Sequence, residues 1–93
     1  MLADQTLKEK YLKFENLYNT FAPKIFGFIM GYTETKEQSE MYMEKIFQQV
    51  WSDINYFDSN AEQKLVSIVL LICKPAIKSK RQKHEMAIQP LYE

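Results

Sequence analysis

The feature that most constrains the fold is a stripe of apolar residues near the middle of the chain. Its members recur at intervals of three residues and one residue, which is the repeat of one face of an α-helix. They are Met43, Ile46, Phe47, Val50, Trp51, Ile54 and Phe57. Thr35 supplies an N-cap hydroxyl, and Gln38, three residues later, completes a capping box. The pattern predicts a central helix at 36–57, with Trp51 in the middle of the packing.

Two shorter helices are expected before this central helix. A first apolar stripe consists of Leu7, Tyr11, Phe14, Leu17, Tyr18 and Phe21. This stripe predicts a helix at 7–21 with polar residues on its other face. Pro23 lacks a backbone N–H and fits best in the first turn of a new helix, so a second helix is expected at 23–31. Gly31 is well placed to end it.

A last helix is expected at 60–79. Ser59 and Glu62 form a second capping box, and a nearly continuous apolar run follows it, so this helix should be buried on most sides. Such a run could also be a buried strand, but the capping box and the lack of a partner strand favour a helix. Pro75 would remove a backbone hydrogen bond, which predicts a bend or an early end near Lys74.

These elements predict an all-α protein, a compact bundle of about four helices with a flexible C-terminal tail. The chain has 93 residues, which suits one domain at 1–80, with 81–93 as a basic tail or linker. With a single cysteine, Cys73, no disulfide can form within the chain, which fits a reducing cytoplasm. The N-terminus does not resemble a signal peptide, and the longest apolar run, 68–73, is too short to span a bilayer. We therefore expect a cytoplasmic protein without a membrane partner.

Charge is unevenly distributed although the formal net charge is zero. Residues 34–62 carry seven acids and two lysines, whereas 74–84 carry five basic residues and no acid. This asymmetry predicts one acidic and one basic surface, and the basic one could meet phosphate or an acidic partner. Ordinary solvated faces would explain the same pattern equally well.

The residue types needed for catalysis do not converge in this sequence. The only histidine, His84, lies in a polar basic segment, and Cys73 lies in an apolar run where an inert thiol is expected. Glu37, Glu40 and Glu44 share one helix face, but without a histidine or a second motif they fit a solvated face better than a metal site. We expect no enzyme, no metal and no cofactor.

The order of the motifs resembles that of region 2 in bacterial sigma factors of the extracytoplasmic-function group. Leu17-Tyr18, Phe21, Pro23 and Ile25-Phe26-x-Phe28 precede an acid-rich helix that contains Phe47-x-x-Val50-Trp51. The family has Leu-Tyr-x-x-Tyr-x-Pro-x-Leu-Tyr in the same order, followed by a helix ending in Phe-x-x-Ala-Trp. A basic run closes the last helix in both. The similarity covers roughly residues 14–83.

The resemblance implies a transcription initiation domain with two partners. The family binds the clamp helices of core RNA polymerase through its central helix, and it captures unstacked bases of the minus-ten promoter element with the following turn and last helix. In this chain the implied polymerase-binding residues are Glu40, Met41, Glu44, Lys45 and Gln48. The implied binding residues for single-stranded promoter DNA are Asn55, Tyr56, Asn60, Lys74, Lys78, Lys80 and Arg81. An anti-sigma factor is a further candidate partner.

Tyr56 and Phe57 are the two aromatic residues in the turn, and they differ in the expected role. Phe57 continues the apolar stripe and is expected in the core, whereas Tyr56 is the better candidate for an exposed base platform. The alternative function is a sigma-like protein-interaction module or homodimer with a regulatory role and no DNA binding. In that alternative, Met41, Tyr42 and Met43 form an exposed apolar patch for docking.

Overall fold

Three α-helices and one short 3₁₀ turn make up residues 2–88, the part of the chain whose backbone the structure describes. The computed structural model describes the backbone of residues 2–88 and the side chains of residues 6–81. The helices are α1 (Leu2–Met30), α2 (Lys36–Ser52) and α3 (Ala61–Ile88), and the 3₁₀ turn is Ile54–Tyr56. No strand occurs within the described range. The expected all-α class is confirmed, but the expected count of about four helices is wrong for residues 2–88.

The helices run up, down and up. Lys80 in α3 donates a hydrogen bond to the carbonyl of Gly31, just after α1, and Lys13 in α1 forms an ion pair of 2.9 Å with Asp58, just before α3. The start of α3 therefore lies beside the middle of α1 and the end of α1 lies beside Lys80, farther along α3, so the two helices run in the same direction. The shorter α2 runs the opposite way and packs against both of them.

The core forms where the apolar faces of the three helices meet. Its buried members are Leu17, Ala22, Ile25 and Ile29 from α1, Ile46, Phe47 and Val50 from α2, Ile54 and Phe57 from the turn, and Leu65, Val69 and Cys73 from α3. The part of the predicted stripe that lies in α2 is confirmed, since Ile46, Phe47 and Val50 face inward. The expected helix at 36–57 is too long, because α2 ends at Ser52, and Ile54 and Phe57 reach the core from the 3₁₀ turn and the residue after it. Phe57 is only 1% exposed, as expected for a core residue, and Tyr56 beside it is 67% exposed.

Pro23 lies inside α1 and does not separate two helices. The buried positions Leu17, Ile25 and Ile29 continue on one face across the proline. A proline inside a helix costs about 3 kcal/mol relative to alanine, whereas burying each large apolar side chain stabilises the fold by about 1.5–3 kcal/mol. Continuous burial on one face therefore outweighs the proline, and the expected helices at 7–21 and 23–31 are one helix.

Pro75 likewise lies inside α3, so an early end of the helix near Lys74 is ruled out, and the expected bend at this proline stays a prediction. The helix continues to Ile88, and residues 81–88 prolong it where a tail had been expected. The rest of that expected tail, 89–93, lies outside the described residues. Burial of Cys73 before the proline and partial burial of Ile77 after it keep both halves of α3 on the core.

Two expectations about burial are corrected. Only Leu65, Val69 and Cys73 of the apolar run in α3 are buried, because α2 covers α3 on one side only; Val66, Leu70 and Leu71 are exposed. Trp51 is half-buried at the rim of the core, where it stacks on Tyr11 with ring centroids 4.9 Å apart. The N-terminal part of α1 covers it because α1 extends past the end of α2.

The connection between α1 and α2 is held by side-chain hydrogen bonds. Thr35 accepts a bond of 3.2 Å from the N–H of Gln38, which confirms the N-cap, and the Gln38 amide oxygen accepts from the N–H of Glu34. Ser39, buried at 2% exposure, lies 2.6 Å from the Thr33 hydroxyl, which in turn donates to the Ile29 carbonyl. These bonds satisfy buried polar groups at the end of α1.

The predicted capping box at the start of α3 does not form. The helix begins at Ala61, where the Asn60 carbonyl accepts a bond of 3.0 Å from the N–H of Lys64, and no bond joins Ser59 to Glu62 in the described structure. Within the described residues, no helix contains an apolar stretch long enough to cross a lipid bilayer.

Candidate functional site

The residues implied in polymerase binding lie on the outer face of α2. Glu40, Glu44 and Gln48 are spaced four residues apart, so they form a single row along the helix, and all three are exposed. Gln48 donates a bond of 3.4 Å to Glu44, and Glu40 pairs weakly with Lys36 at 3.9 Å. Among the residues whose side chains are described, Glu44 forms no ion pair.

Met41 and Lys45 occupy the neighbouring row of α2, and both are exposed. Met41 is 43% exposed, but Tyr42 and Met43 are half-buried and pack against the core. The expected exposed patch of Met41, Tyr42 and Met43 is therefore reduced to Met41, because the other two side chains lie on the inward side of α2.

The acidic row borders a groove between α1 and α2. Its first segment has a volume of about 620 Å³, with Tyr18, Phe26, Met43 and Phe47 beside Glu40 and Glu44. Its second segment, of about 500 Å³, continues along Phe14, Phe47 and Trp51 beside Glu44 and Gln48. We call these two segments the α1/α2 groove. Its wall is aromatic, since Tyr18 contacts Phe47 at 4.7 Å and Phe14 contacts Trp51 at 5.6 Å between ring centroids.

The turn between α2 and α3 presents Tyr56 to solvent. Asn55 and Asn60 on either side of it are also exposed. The Lys64 ammonium lies 5.3 Å from the centre of the Tyr56 ring and donates a hydrogen bond to the Tyr56 carbonyl. Lys64 therefore holds the backbone of Tyr56 from the first turn of α3 and places a positive charge beside its ring.

A second lysine fixes the turn from the side of α1. Lys13 donates a hydrogen bond of 2.9 Å to Asp58, and this bond and the charge of Lys13 lower the pKa of the Asp58 carboxyl, with a smaller contribution from the charge of Lys64. A carboxyl whose pKa is lowered by folding stabilises the protein above its ordinary pKa of 3.8, and that contribution disappears as the pH falls through the lower folded value.

Replacing Lys13 by methionine is expected to raise the pKa of Asp58 towards its ordinary value, because the hydrogen bond and the nearest charge are both removed. The measurement is an NMR titration of the Asp58 carboxyl. Lys8→Met, an exposed change on the same helix, should leave the titration as in the wild type. An unchanged pKa in Lys13→Met would show that the ion pair does not persist in solution.

The basic residues of α3 lie away from the turn. At 1.5 Å of rise per residue, Lys74 lies about 20 Å and Arg81 about 30 Å along α3 from Ala61. Lys74, Lys78, Lys80 and Arg81 are all exposed. The Lys80 ammonium lies 5.2 Å from the centre of the Tyr32 ring and donates to the Gly31 carbonyl, so it stabilises the end of α1. The side chain of His84 lies outside the described residues.

The structure thus brings together Asn55, Tyr56 and Asn60 as one cluster and the α2 row as another. It does not bring the basic run beside Tyr56. Sequence reasoning missed Lys64, which supplies the cation next to the tyrosine. The sequence pattern that indicates this role is a lysine in the first turn of a helix that follows a connection containing two aromatic residues. It also missed the contribution of Tyr18 to the groove, although Tyr18 belongs to the predicted stripe of α1.

Neither thiol nor metal chemistry has support in the described part of the chain. Cys73 is 1% exposed, and burial raises the pKa of its thiol, which disfavours the reactive thiolate. In residues whose side chains are described, no group of three or more histidine, cysteine or acidic side chains could hold a metal ion.

Comparison with known proteins identifies no relative from which a role could be transferred. No protein-family model matches the chain, and no curated protein or solved structure matches it significantly.

Proposed function

We propose that this chain is a sigma-factor-like transcription initiation domain that binds core RNA polymerase and single-stranded DNA of the minus-ten promoter element. The observation that carries the proposal is the α1/α2 groove, where an aromatic wall lies beside the exposed acids Glu40 and Glu44. The resemblance to sigma region 2 assigns polymerase binding to the same row of α2.

The groove has the chemistry needed to bind a basic amphipathic helix. Apolar positions of such a helix would pack on Phe14, Tyr18 and Phe47, while its basic residues would face Glu40 and Glu44. Aromatic side chains contribute large contact areas at protein interfaces, and acids at the rim steer a basic partner and select its orientation. The clamp helices of the large polymerase subunit are the partner implied by the resemblance.

The turn has the chemistry needed to hold an unstacked base. Tyr56 offers an exposed aromatic face, and Lys64 beside it can neutralise a phosphate. Asn55 and Asn60 supply amide donors and acceptors on either side. Because Lys74, Lys78 and Arg81 lie farther along α3, a strand must extend over several nucleotides to contact both the turn and the basic run.

The polymerase interaction is tested by measuring binding of the chain to core RNA polymerase. Glu44→Lys should abolish or strongly weaken binding, because Glu44 lines both segments of the α1/α2 groove. The matched control is Glu9→Lys, which makes the same charge change at an exposed position of α1 that does not line the groove. Equal binding by the two variants would contradict the assignment of the groove.

The DNA interaction is tested by titrating single-stranded promoter-like DNA at two salt concentrations. Tyr56→Ala should weaken binding by about 1–3 kcal/mol, whereas Tyr56→Phe keeps the stacking face and should bind as the wild type does. Affinity should fall as salt rises. Polymerase binding without DNA binding would favour the alternative, an interaction module, and failure of both tests would overturn the proposed function.

A further inference from the structure

The turn between α2 and α3 carries a charged contact that the proposed function does not use. Lys13 of α1 donates a hydrogen bond of 2.9 Å to the carboxylate of Asp58, which lies two residues after Tyr56. Lys64 donates to the Tyr56 carbonyl, and its charge also acts on the Asp58 carboxyl. These contacts join the two lysines, Tyr56 and Asp58 into one cluster. A strand that stacks a base on Tyr56 therefore brings its phosphates close to both lysines.

The Asp58 carboxylate occupies a position that suits a phosphate. A carboxylate oxygen and a phosphodiester oxygen are both anionic acceptors, and a lysine ammonium binds either of them. The hydrogen bond from Lys13 and the charges of both lysines hold the pKa of Asp58 below its ordinary value, so this position favours a negative charge. In the free chain, the protein itself supplies that negative charge.

The two partners of this ion pair differ in exposure. The Lys13 side chain is 34% exposed, so most of its stem is covered, whereas the Asp58 side chain is 79% exposed. Asp58 can therefore turn into solvent while the Lys13 ammonium stays beside the turn. Ion pairs at a protein surface contribute little net stability, so an incoming phosphate replaces only a weak contact. Neither side chain belongs to the buried core, so the exchange leaves the core packing intact.

We propose that Lys13 binds a phosphate of the single-stranded DNA that stacks on Tyr56, and that Asp58 occupies Lys13 until the strand displaces it. This inference rests on the proposed function and deepens it, because it adds a contact from α1 to the DNA site. Asp58 then acts as an internal competitor that lowers the affinity for the strand. Lys13 and Lys64 supply positive charge on the two sides of the turn, and Tyr56 supplies the stacking surface.

Replacing Asp58 by asparagine tests the competition, since the amide is neutral and has nearly the same size. Asp58→Asn should bind single-stranded promoter-like DNA about threefold more tightly than the wild type or better, because Lys13 no longer has to leave a carboxylate. The matched control is Asp53→Asn, which removes the same charge just before the 3₁₀ turn. Asp53 accepts a hydrogen bond from Gln49 and forms no ion pair in the described structure, so this control should gain less affinity.

A double variant tests Lys13 itself. In the Asp58→Asn background, Lys13→Met removes the phosphate contact without leaving an unpaired acid. The slope of log affinity against log salt should become shallower by about 0.7, the contribution of one phosphate on a single strand. Lys8→Met in the same background removes the same charge from an exposed position of α1 and should leave the slope unchanged. Fluorescence anisotropy of a labelled oligonucleotide measures each affinity at several salt concentrations.

Two results would overturn the inference about Lys13. The first is an Asp58→Asn variant that binds no more tightly than the wild type or than Asp53→Asn. The second is a salt slope that Lys13→Met leaves unchanged or that Lys8→Met reduces equally. If DNA binding still depends on Tyr56 in these cases, the proposed function stands without the Lys13 contact. A chain that binds no DNA in any variant, while its helical circular dichroism spectrum is intact, would overturn both the DNA interaction and this inference.

Discussion

Replacing Phe57 by alanine is expected to lower the free energy of unfolding by about 3–5 kcal/mol, the largest effect of any single change considered for this chain. Phe57 is 1% exposed and is one of the largest fully buried side chains in the described core. It belongs to the core cluster that the three helices and the turn share, so its removal leaves a cavity in that core. Small domains have total stabilities of about 5–15 kcal/mol, so a large share would be lost.

Tyr56→Ala is the matched control, since it removes the neighbouring aromatic ring from an exposed position. The ring contributes an exposed cation–π contact with Lys64, worth about 0.5–1 kcal/mol, so the loss of stability should stay below about 1 kcal/mol. Urea unfolding followed by circular dichroism measures both variants. If Phe57→Ala costs no more than Tyr56→Ala, the packing of the turn against the core is wrong.

Replacing Pro23 or Pro75 by alanine is expected to stabilise the protein by about 1–3 kcal/mol at each site. Both prolines lie inside continuous helices and are exposed, so alanine restores a backbone hydrogen bond, to Asn19 or to Leu71, without a steric clash. Alanine leaves the unfolded chain more conformational freedom than proline does, which reduces the gain in stability by about 0.4–1 kcal/mol. The expected range already includes this reduction.

The proline variants also discriminate between two arrangements of the N-terminal region. If α1 were two helices, Pro23 would occupy a first turn, where proline is favourable, and Pro23→Ala would give no gain. Gly27→Ala calibrates the measurement, because a Cβ atom at Gly27 meets nothing within 4 Å beyond the neighbouring backbone of its own helix, and the change should stabilise α1 by about 0.5–1 kcal/mol. The midpoint of thermal or urea unfolding reports each difference.

The sequence was most informative where a pattern was local. The capping residue Thr35, the inward stripe of α2, the burial of Phe57 and the exposure of Tyr56 could all be predicted, since each depends on spacing within one helix or turn. The end of α1 before Gly31 was predicted for the same reason.

The errors arose where tertiary packing decided the outcome. The cost of a proline in a helix is visible in the sequence, but the burial that outweighs it at Pro23 and Pro75 depends on the other helices. The exposure of Val66 and Leu70 depends on which sides of α3 are covered, and the run of apolar residues alone does not contain that information. Lys64 was missed because its contact with Tyr56 requires the turn to fold back on α3.

The buried thiol of Cys73 makes the chain its own reporter of core opening. The sequence contains one cysteine, and Cys73 packs in the core at 1% exposure. An alkylating reagent can reach the sulfur only when α3 separates from its neighbours, because the folded state excludes the reagent and burial disfavours the thiolate. The rate of alkylation in native buffer therefore measures how often α3 separates from α1 and α2, and the experiment needs no added label.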